Sequence, residues 1–336
     1  MEPGEGSLPE GTRRGRRRAP QPVAALDLGT NNCRLLIAAP SRGGDIRVVD
    51  SFSRIVRLGE GVAQTGLLSD AAIARTIAAL KICAQHLEDK RVGRMRAVAT
   101  EAWRRARNAA VLVELARAET GIAIEIIRPE EEARLAAVGC APLIDPEAQG
   151  ALIFDIGGGS TEIIWMKRDA GGVPRVVLSN SESLGVVTLA ESGHGGNVGR
   201  DGYERLRDAT IAQLTPLKAR MAALGTFDPA THHLLGTSGT VTTLAALALK
   251  LPRYERSKVD ASWHRCDDIL SVIDRLVNLD LKGRAALGPV GADRADLIVP
   301  GCAIFAAIGA LWPCERLRVA DRGLREGMLR ELMGRR

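Results

Sequence analysis

The chain has 336 residues, of which 46% are hydrophobic and only 3% aromatic, with a formal charge of +6. That length and that supply of small aliphatic side chains exclude a largely unfolded chain and predict two α/β domains flanking a cleft. Residues 1–20 hold five arginines against three glutamates, leaving +4 for the remainder, too mild an excess to argue for nucleic acid as a partner.

Residues 1–20 carry no periodic apolar pattern and read as a disordered basic tail. The RRGRRR run within it is followed only by VAALDL, a short stretch carrying Asp27, which is no signal h-region. From Val23, VAALDLGTNNCRLLIAAP predicts strand, turn and strand. Next come a strand-like IRVVDSFSRIVRL, a helix over 71–87 with Ser69 or Asp70 as N-cap, a strand MRAVA, a helix over 101–118 and a strand IAIEII. Thr100 is expected to cap its helix through its hydroxyl, and Arg104 and Asn108, four apart, to share one helix face. RPEEEARLAAVG opens another helix, with Pro129 near its start and Glu130, Glu131 and Glu132 in its first turn. Acids suit a helix N-terminus, so spacing alone does not say which of the three faces a cleft.

The segment ALIFDIGGGSTEIIW, from Ala151 to Trp165, predicts two strands around a glycine turn. Gly157, Gly158 and Gly159 let backbone amides approach a ligand closely, and with the hydroxyls of Ser160 and Thr161 they suit a phosphate. Two flanking anions, Asp155 and Glu162, help such a turn only if a cation or an attacking water needs them. Aligned on their aspartates, DLGTNNCRLLI and DIGGGSTEIIW match Asp27 with Asp155, Gly29 with Gly157, Thr30 with Gly158 and Asn31 with Gly159. A repeat at this spacing is too long for a solenoid and fits two related domains, each offering a loop to one cleft.

After the second unit come a strand VPRVVLSNSESL, helices over 201–224, 241–249 and 266–278, and a strand HHLLG. The turn GTSGT offers Ser238 and Gly239 at a helix start. A buried helix over 303–311, a strand over 317–320 and a last helix reaching Met333 complete the chain; the pattern does not assign that helix to either domain. His232 and His233 read as packing residues. There is no P-loop, no dinucleotide fingerprint and no nucleophile elbow. The apolar stretch from Leu297 to Pro313 is interrupted and too short to span a bilayer, so no membrane segment is expected. The six scattered cysteines read as reduced thiols of a cytosolic protein.

Seven segments in order, DLGTNNCRL, ATEAWRRARNA, IEIIRPEEEARL, DIGGGSTE, SLGVVTL, GTSGT and ADRGLREGML, resemble the exopolyphosphatase and guanosine pentaphosphate phosphohydrolase (Ppx/GppA) family. The resemblance implies two ribonuclease-H-like domains of the actin, Hsp70 and sugar kinase group, with the active site between them. Expected bounds are residues 21–138 and 139–315, with 316–336 left unassigned. Carried over by position, the catalytic glutamates are Glu132 and Glu162. The metal position is Asp155, with Asp27 as its counterpart in the first unit, and Mg²⁺ or Mn²⁺ is the implied cofactor. Arg104, Gly29, Thr30, Asn31, Asn32, Gly157, Gly158, Gly159, Ser160, Thr161, Ser238 and Gly239 are the implied phosphate-binding set. Asn32 departs from the serine common there, and the chain resembles a short form without the family's C-terminal helical region. The implied reaction is release of orthophosphate from inorganic polyphosphate by a cytoplasmic homodimer. The alternatives are hydrolysis of pppGpp, non-catalytic sensing of ppGpp, pppGpp or polyphosphate, and an actin-like ATPase or sugar kinase.

Overall fold

In the computed structural model, which describes residues 21–41, 46–192 and 198–334, each glycine-turn unit opens its own sheet. The basic tail falls outside the described residues. The first sheet contains β1 (Val23–Leu28), β2 (Asn32–Pro40), β3 (Ile46–Ile55), β4 (Arg94–Ala99) and β5 (Ile124–Ile126), in the order β3-β2-β1-β4-β5. The second contains β6 (Gly150–Ile156), β7 (Thr161–Arg168), β8 (Pro174–Glu182), β9 (His232–Thr237), β10 (Trp263–Arg265) and β11 (Arg316–Ala320), in the order β10-β11-β9-β6-β7-β8. With the short edge strand β10 set aside, the two orders are the same. In each, three antiparallel strands are followed by two parallel ones. This is the pair of ribonuclease-H-like sheets implied above.

The repeat extends to detail. Gly29 N–H donates to the Asn32 carbonyl at 2.9 Å, and Gly157 N–H donates to the Ser160 carbonyl at 2.9 Å. Asp27 pairs across its hairpin with Arg34, and Asp155 pairs with Glu162. Each long hairpin breaks register at the same place relative to its aspartate, between Ile37 and Ala38 in one and between Trp165 and Met166 in the other. A bulge bends a strand and increases its twist, so both units curl alike.

Alternation along the central strands sends side chains to both faces, and both faces are buried. Leu26, Leu28, Leu35 and Ile37 pack on the helices Asp70–Asp89 and Ala109–Thr120. Leu152, Phe154, Ile163 and Trp165 pack on Arg200–Leu224, Ser238–Ala248 and Ile298–Leu311. On the inner faces lie two further helices, Pro129–Cys140 and Leu324–Leu332. Ala133, Ala136 and Ala137 meet Ala151, Ile153 and Ile164 of the second sheet. Leu135 joins Leu324, Met328 and Leu329 against Val23, Ala25, Leu36 and Val98 of the first. The last strand therefore belongs to the second sheet and the last helix covers the first.

The two inner helices touch through glycine. A Cβ on Gly327 would lie 2.1 Å from the Leu135 carbonyl oxygen, and one on Gly139 would lie 2.0 Å from that of Gly323. Backbone cannot yield as a side-chain tip can. Gly327→Ala is expected to destabilise by about 1–3 kcal/mol through overpacking, read as a lower midpoint in thermal unfolding; an unchanged midpoint would show that the helices separate freely.

Three local expectations change. The helix over 101–118 is two helices, Glu101–Arg105 and Ala109–Thr120. Asn108 accepts from Leu68 N–H at 2.8 Å and donates to the Leu68 carbonyl at 2.9 Å, while Arg107 N–H donates to Gly66. These contacts to a distant loop outweigh helix continuation, so Arg104 and Asn108 do not share a face. Thr100 holds the N-cap position without a side-chain capping bond. The buried helix begins earlier, at Ile298, because Pro300 falls in its first turn, where the missing N–H costs nothing.

Candidate active site

The two loops meet at one cleft, lined by Asp27, the loop residues Gly29 to Asn32, Glu132, Asp155, the loop residues Gly157 to Ser160, Glu162, Ser238 and Gly239. Contact between the loops is close: a Cβ on Gly158 would lie 3.0 Å from the Thr30 Cβ and 3.2 Å from the Asn31 nitrogen. A side chain at 158 would press on the opposite loop. Ser238 begins its helix with a φ of 76°, a left-handed conformation costly for a residue with a Cβ. Its hydroxyl donates to the Ile156 carbonyl, which ties the third loop to the end of β6.

Two members of the sequence-derived phosphate set stand apart from this lining. Thr161 is fully buried, and its hydroxyl donates to the Leu184 carbonyl at 2.5 Å. Arg104 is gripped by protein groups. It donates to Glu101 Oε2 at 2.8 Å, to Glu132 Oε2 at 2.8 Å and to the Ile127 carbonyl at 2.9 Å.

Of the three glutamates at the start of the Pro129–Cys140 helix, Glu130 is exposed and Glu131 pairs with Arg96 and Arg134. Glu132 alone turns into the cleft. One of its oxygens is held by Arg104, and Glu101 in turn accepts from the Ser183 hydroxyl at 3.3 Å. Two residues earlier, the Ser181 hydroxyl donates to Glu162 Oε1 at 2.7 Å. One short segment at the end of β8 thus supports both glutamates, one directly and one through Glu101 and Arg104.

Four carboxylates in one cleft are costly to ionise. Burial raises Asp27, and it pushes Asp155 up to about 6 with Asp27 adding to the rise against Arg34. Burial likewise pushes Glu132 up to about 7, opposed by Arg104 and reinforced by Asp27 and Asp155. Glu162 is raised well above the usual glutamate range by burial, then by Glu132 and Asp155. Cations answer them from the other side. Arg34 and Arg294 line the cleft, and their guanidinium nitrogens lie 3.8 and 3.7 Å from where a Gly239 Cβ would be. Burial and the neighbouring Arg34 lower Arg294. Two neighbouring guanidinium groups lining one cleft suit an anion.

Arg34, Arg294, Glu101, Ser181 and Ser183 were not singled out from the sequence. Arg34 had a usable signal, since the repeat sets it at the position of Glu162. Arg294 lies in a turn without periodicity, and the serines read as ordinary strand polar residues.

Among the described residues no group of three His, Cys, Asp or Glu side chains is arranged to hold a metal alone. The oxygen donors present nevertheless fit a hard cation. Asp27 and Asp155 line the same cleft, and the side-chain oxygens of Asn31 and Asn32 are buried without a partner. Magnesium is commonly held by one or two carboxylates, with water and phosphate oxygens completing its shell.

Paired ribonuclease-H-like sheets, opposed amide-rich loops and buried glutamates define a phosphate-handling hydrolase. Residues 36–336 match the Ppx/GppA phosphatase family. The chain is 33% identical over 325 residues to Exopolyphosphatase 2 of Mycobacterium tuberculosis, covering 93% of this chain and 98% of that one. It resembles the crystal structure of the Aquifex aeolicus Ppx/GppA family member at a TM-score of 0.76 and 31% identity, covering 94% and 98% of the two chains. It also resembles an exopolyphosphatase from Cytophaga hutchinsonii at a TM-score of 0.84 and 25% identity, covering 94% and 99%. The chain belongs to the Ppx/GppA phosphatase family.

Proposed function

We propose that the protein is an exopolyphosphatase, hydrolysing the terminal phosphoanhydride of inorganic polyphosphate to release orthophosphate. The observation that carries this reading is the opposition, in one cleft, of two phosphate-type loops and an arginine pair to Glu132 and Glu162. The name of the Mycobacterium tuberculosis relative supports the substrate. A nucleotide such as pppGpp is less well served, because no aromatic side chain lines the cleft among the described residues and bases are commonly held by stacking.

In this reading the loop amides of Gly29 to Asn32 and Gly157 to Ser160, with Ser238 and Gly239, hold the terminal phosphoryl group. Arg34 and Arg294 take the charge of the phosphate behind it. Glu132, titrating near neutrality, accepts the proton of the attacking water. Glu162, whose carboxyl is raised by burial, orients that water and is itself fixed by Ser181. Arg104 holds Glu132 in place. As water oxygen bonds to the terminal phosphorus, the bridging P–O bond breaks and its electrons leave with the shortened chain. Bound at Asp27 and Asp155, Mg²⁺ or Mn²⁺ would supply charge neutralisation to the phosphate oxygens.

The same reading includes a cytoplasmic homodimer. All six cysteines are free thiols, which agrees with a reducing compartment, and no described helix is long and apolar enough to cross a membrane. Orthophosphate release from long-chain polyphosphate, tripolyphosphate and pppGpp, with Mg²⁺ or Mn²⁺ in one assay, tests the activity. Faster turnover of long-chain polyphosphate than of pppGpp is expected; the reverse order would overturn the substrate assignment.

A further inference from the structure

Beside the cleft, where the two lobes meet, lies an open groove whose walls carry Arg54, Arg57, Arg75 and Arg294 against the acids Glu60 and Asp293. Arg294 lines both the groove and the cleft. The connection is also made through the sheet: Arg34, in the cleft, is paired across β2 and β3 with Ser53, in the groove. We propose that this groove is a second polyanion subsite, which takes the phosphates of a polymer following those held in the cleft. The inference rests on the exopolyphosphatase reading and deepens it.

Arg54 and Arg75 are the groove's cations available to a ligand. Arg54 is exposed, lies over the Phe52 ring with 5.4 Å to its centroid, and forms no ion pair among the described residues. Arg57 reaches across the seam to Asp296 at 2.9 Å, and Arg75 pairs with Glu60 at 3.1 Å. Arg57 bonds both oxygens of Asp296 and stays paired; the Arg75–Glu60 pair is substantially solvated, and such pairs contribute little to stability, so phosphate oxygens can replace the Glu60 carboxylate at small cost. No aromatic residue lines the groove among those described, leaving nothing on which a base would stack. An unbroken phosphate chain, charged at every unit, therefore matches this surface better than a nucleotide does.

A subsite beyond the cleft makes affinity depend on polymer length. Arg54→Glu replaces an attraction by a repulsion at an exposed position that folding does not need. It is expected to raise KM for long-chain polyphosphate about tenfold, and KM for tripolyphosphate, too short to extend far beyond the cleft, much less. The salt dependence of KM for the long chain should flatten in the variant, as fewer counterions are displaced. Binding of fluorescently labelled long-chain polyphosphate, followed by anisotropy without turnover, should weaken by the same factor, and Arg54→Lys should restore most of it. Equal shifts for both chain lengths, or none in the binding measurement, would overturn the groove. If the parent protein releases phosphate from neither substrate yet binds the labelled polymer in an Arg54-dependent way, the hydrolase reading falls and the groove stands.

Discussion

Glu132→Gln is expected to lower kcat for phosphate release by about 10²- to 10⁴-fold, the usual contribution of a general base, with KM close to that of the parent. The separation of the two constants follows from the site. In the proposed function phosphate is held by loop amides and by Arg34 and Arg294, none of which loses a partner in the variant. A glutamine at 132 can still accept from Arg104, which bonds only one of the two oxygens. What it cannot do is take a proton. Glu162→Gln is expected to cost less, because burial favours the neutral form of Glu162 and an amide at that position still accepts from Ser181. Single-turnover phosphate release with both variants reads the difference directly. Parental kcat in Glu132→Gln would remove that residue from proton transfer, and a larger loss in Glu162→Gln would exchange the two roles.

The second large effect is on stability. Glu132 is raised from the usual 4.5 to about 7 by burial first, with Arg104 opposing. Below pH 4.5 it is protonated in both folded and unfolded chains, and burial carries no ionic cost. Between 4.5 and 7 the folded state binds the extra proton, so stability falls as pH rises through this window and levels above it. The difference corresponds to about 3 kcal/mol. Glu132→Gln should therefore unfold at a higher temperature than the parent at pH 8, with the gap closing towards pH 4.5. Thermal unfolding at several pH values measures it; a gap independent of pH would mean that the glutamate is not strained by ionisation. The same substitution that disables the enzyme should thus strengthen the fold, as expected where binding and catalysis require charges to be crowded.

How much of this was legible in the sequence depended on how local each signal was. Asp27 and Asp155, with the glycine turns that follow them, declared themselves because a strand ending in a turn is encoded within about ten residues, and because the pattern occurs twice. The cross-strand pairing of Asp155 with Glu162 was not itself read from the sequence. The helix over 71–87 was readable from its cap, and Ser69 does accept from Ala72 N–H at 3.2 Å. What was not readable depended on contacts between distant segments. The break after Arg105 is imposed by Leu68 and Gly66, loop residues about forty positions earlier. Nothing in RPEEEARL distinguishes Glu132 from its neighbours until Arg104 and the second sheet are in place; family resemblance selected it where spacing could not. Arg294 reaches the cleft only because its turn is folded back beside Gly239.

The return of the last helix to the first sheet has a consequence for how the protein comes into being. Val23, Ala25, Leu36 and Val98 are among the earliest residues made, yet their cover, Leu324, Met328 and Leu329, is synthesised after the whole second lobe. During translation the first lobe must wait with one apolar face open, and an open apolar face is where chains associate wrongly. Folding is therefore expected to finish from the outside inward in sequence, with the oldest strands sealed by the newest helix. The first lobe is not a contiguous piece of the gene, and a fragment cut between the two would leave it incomplete.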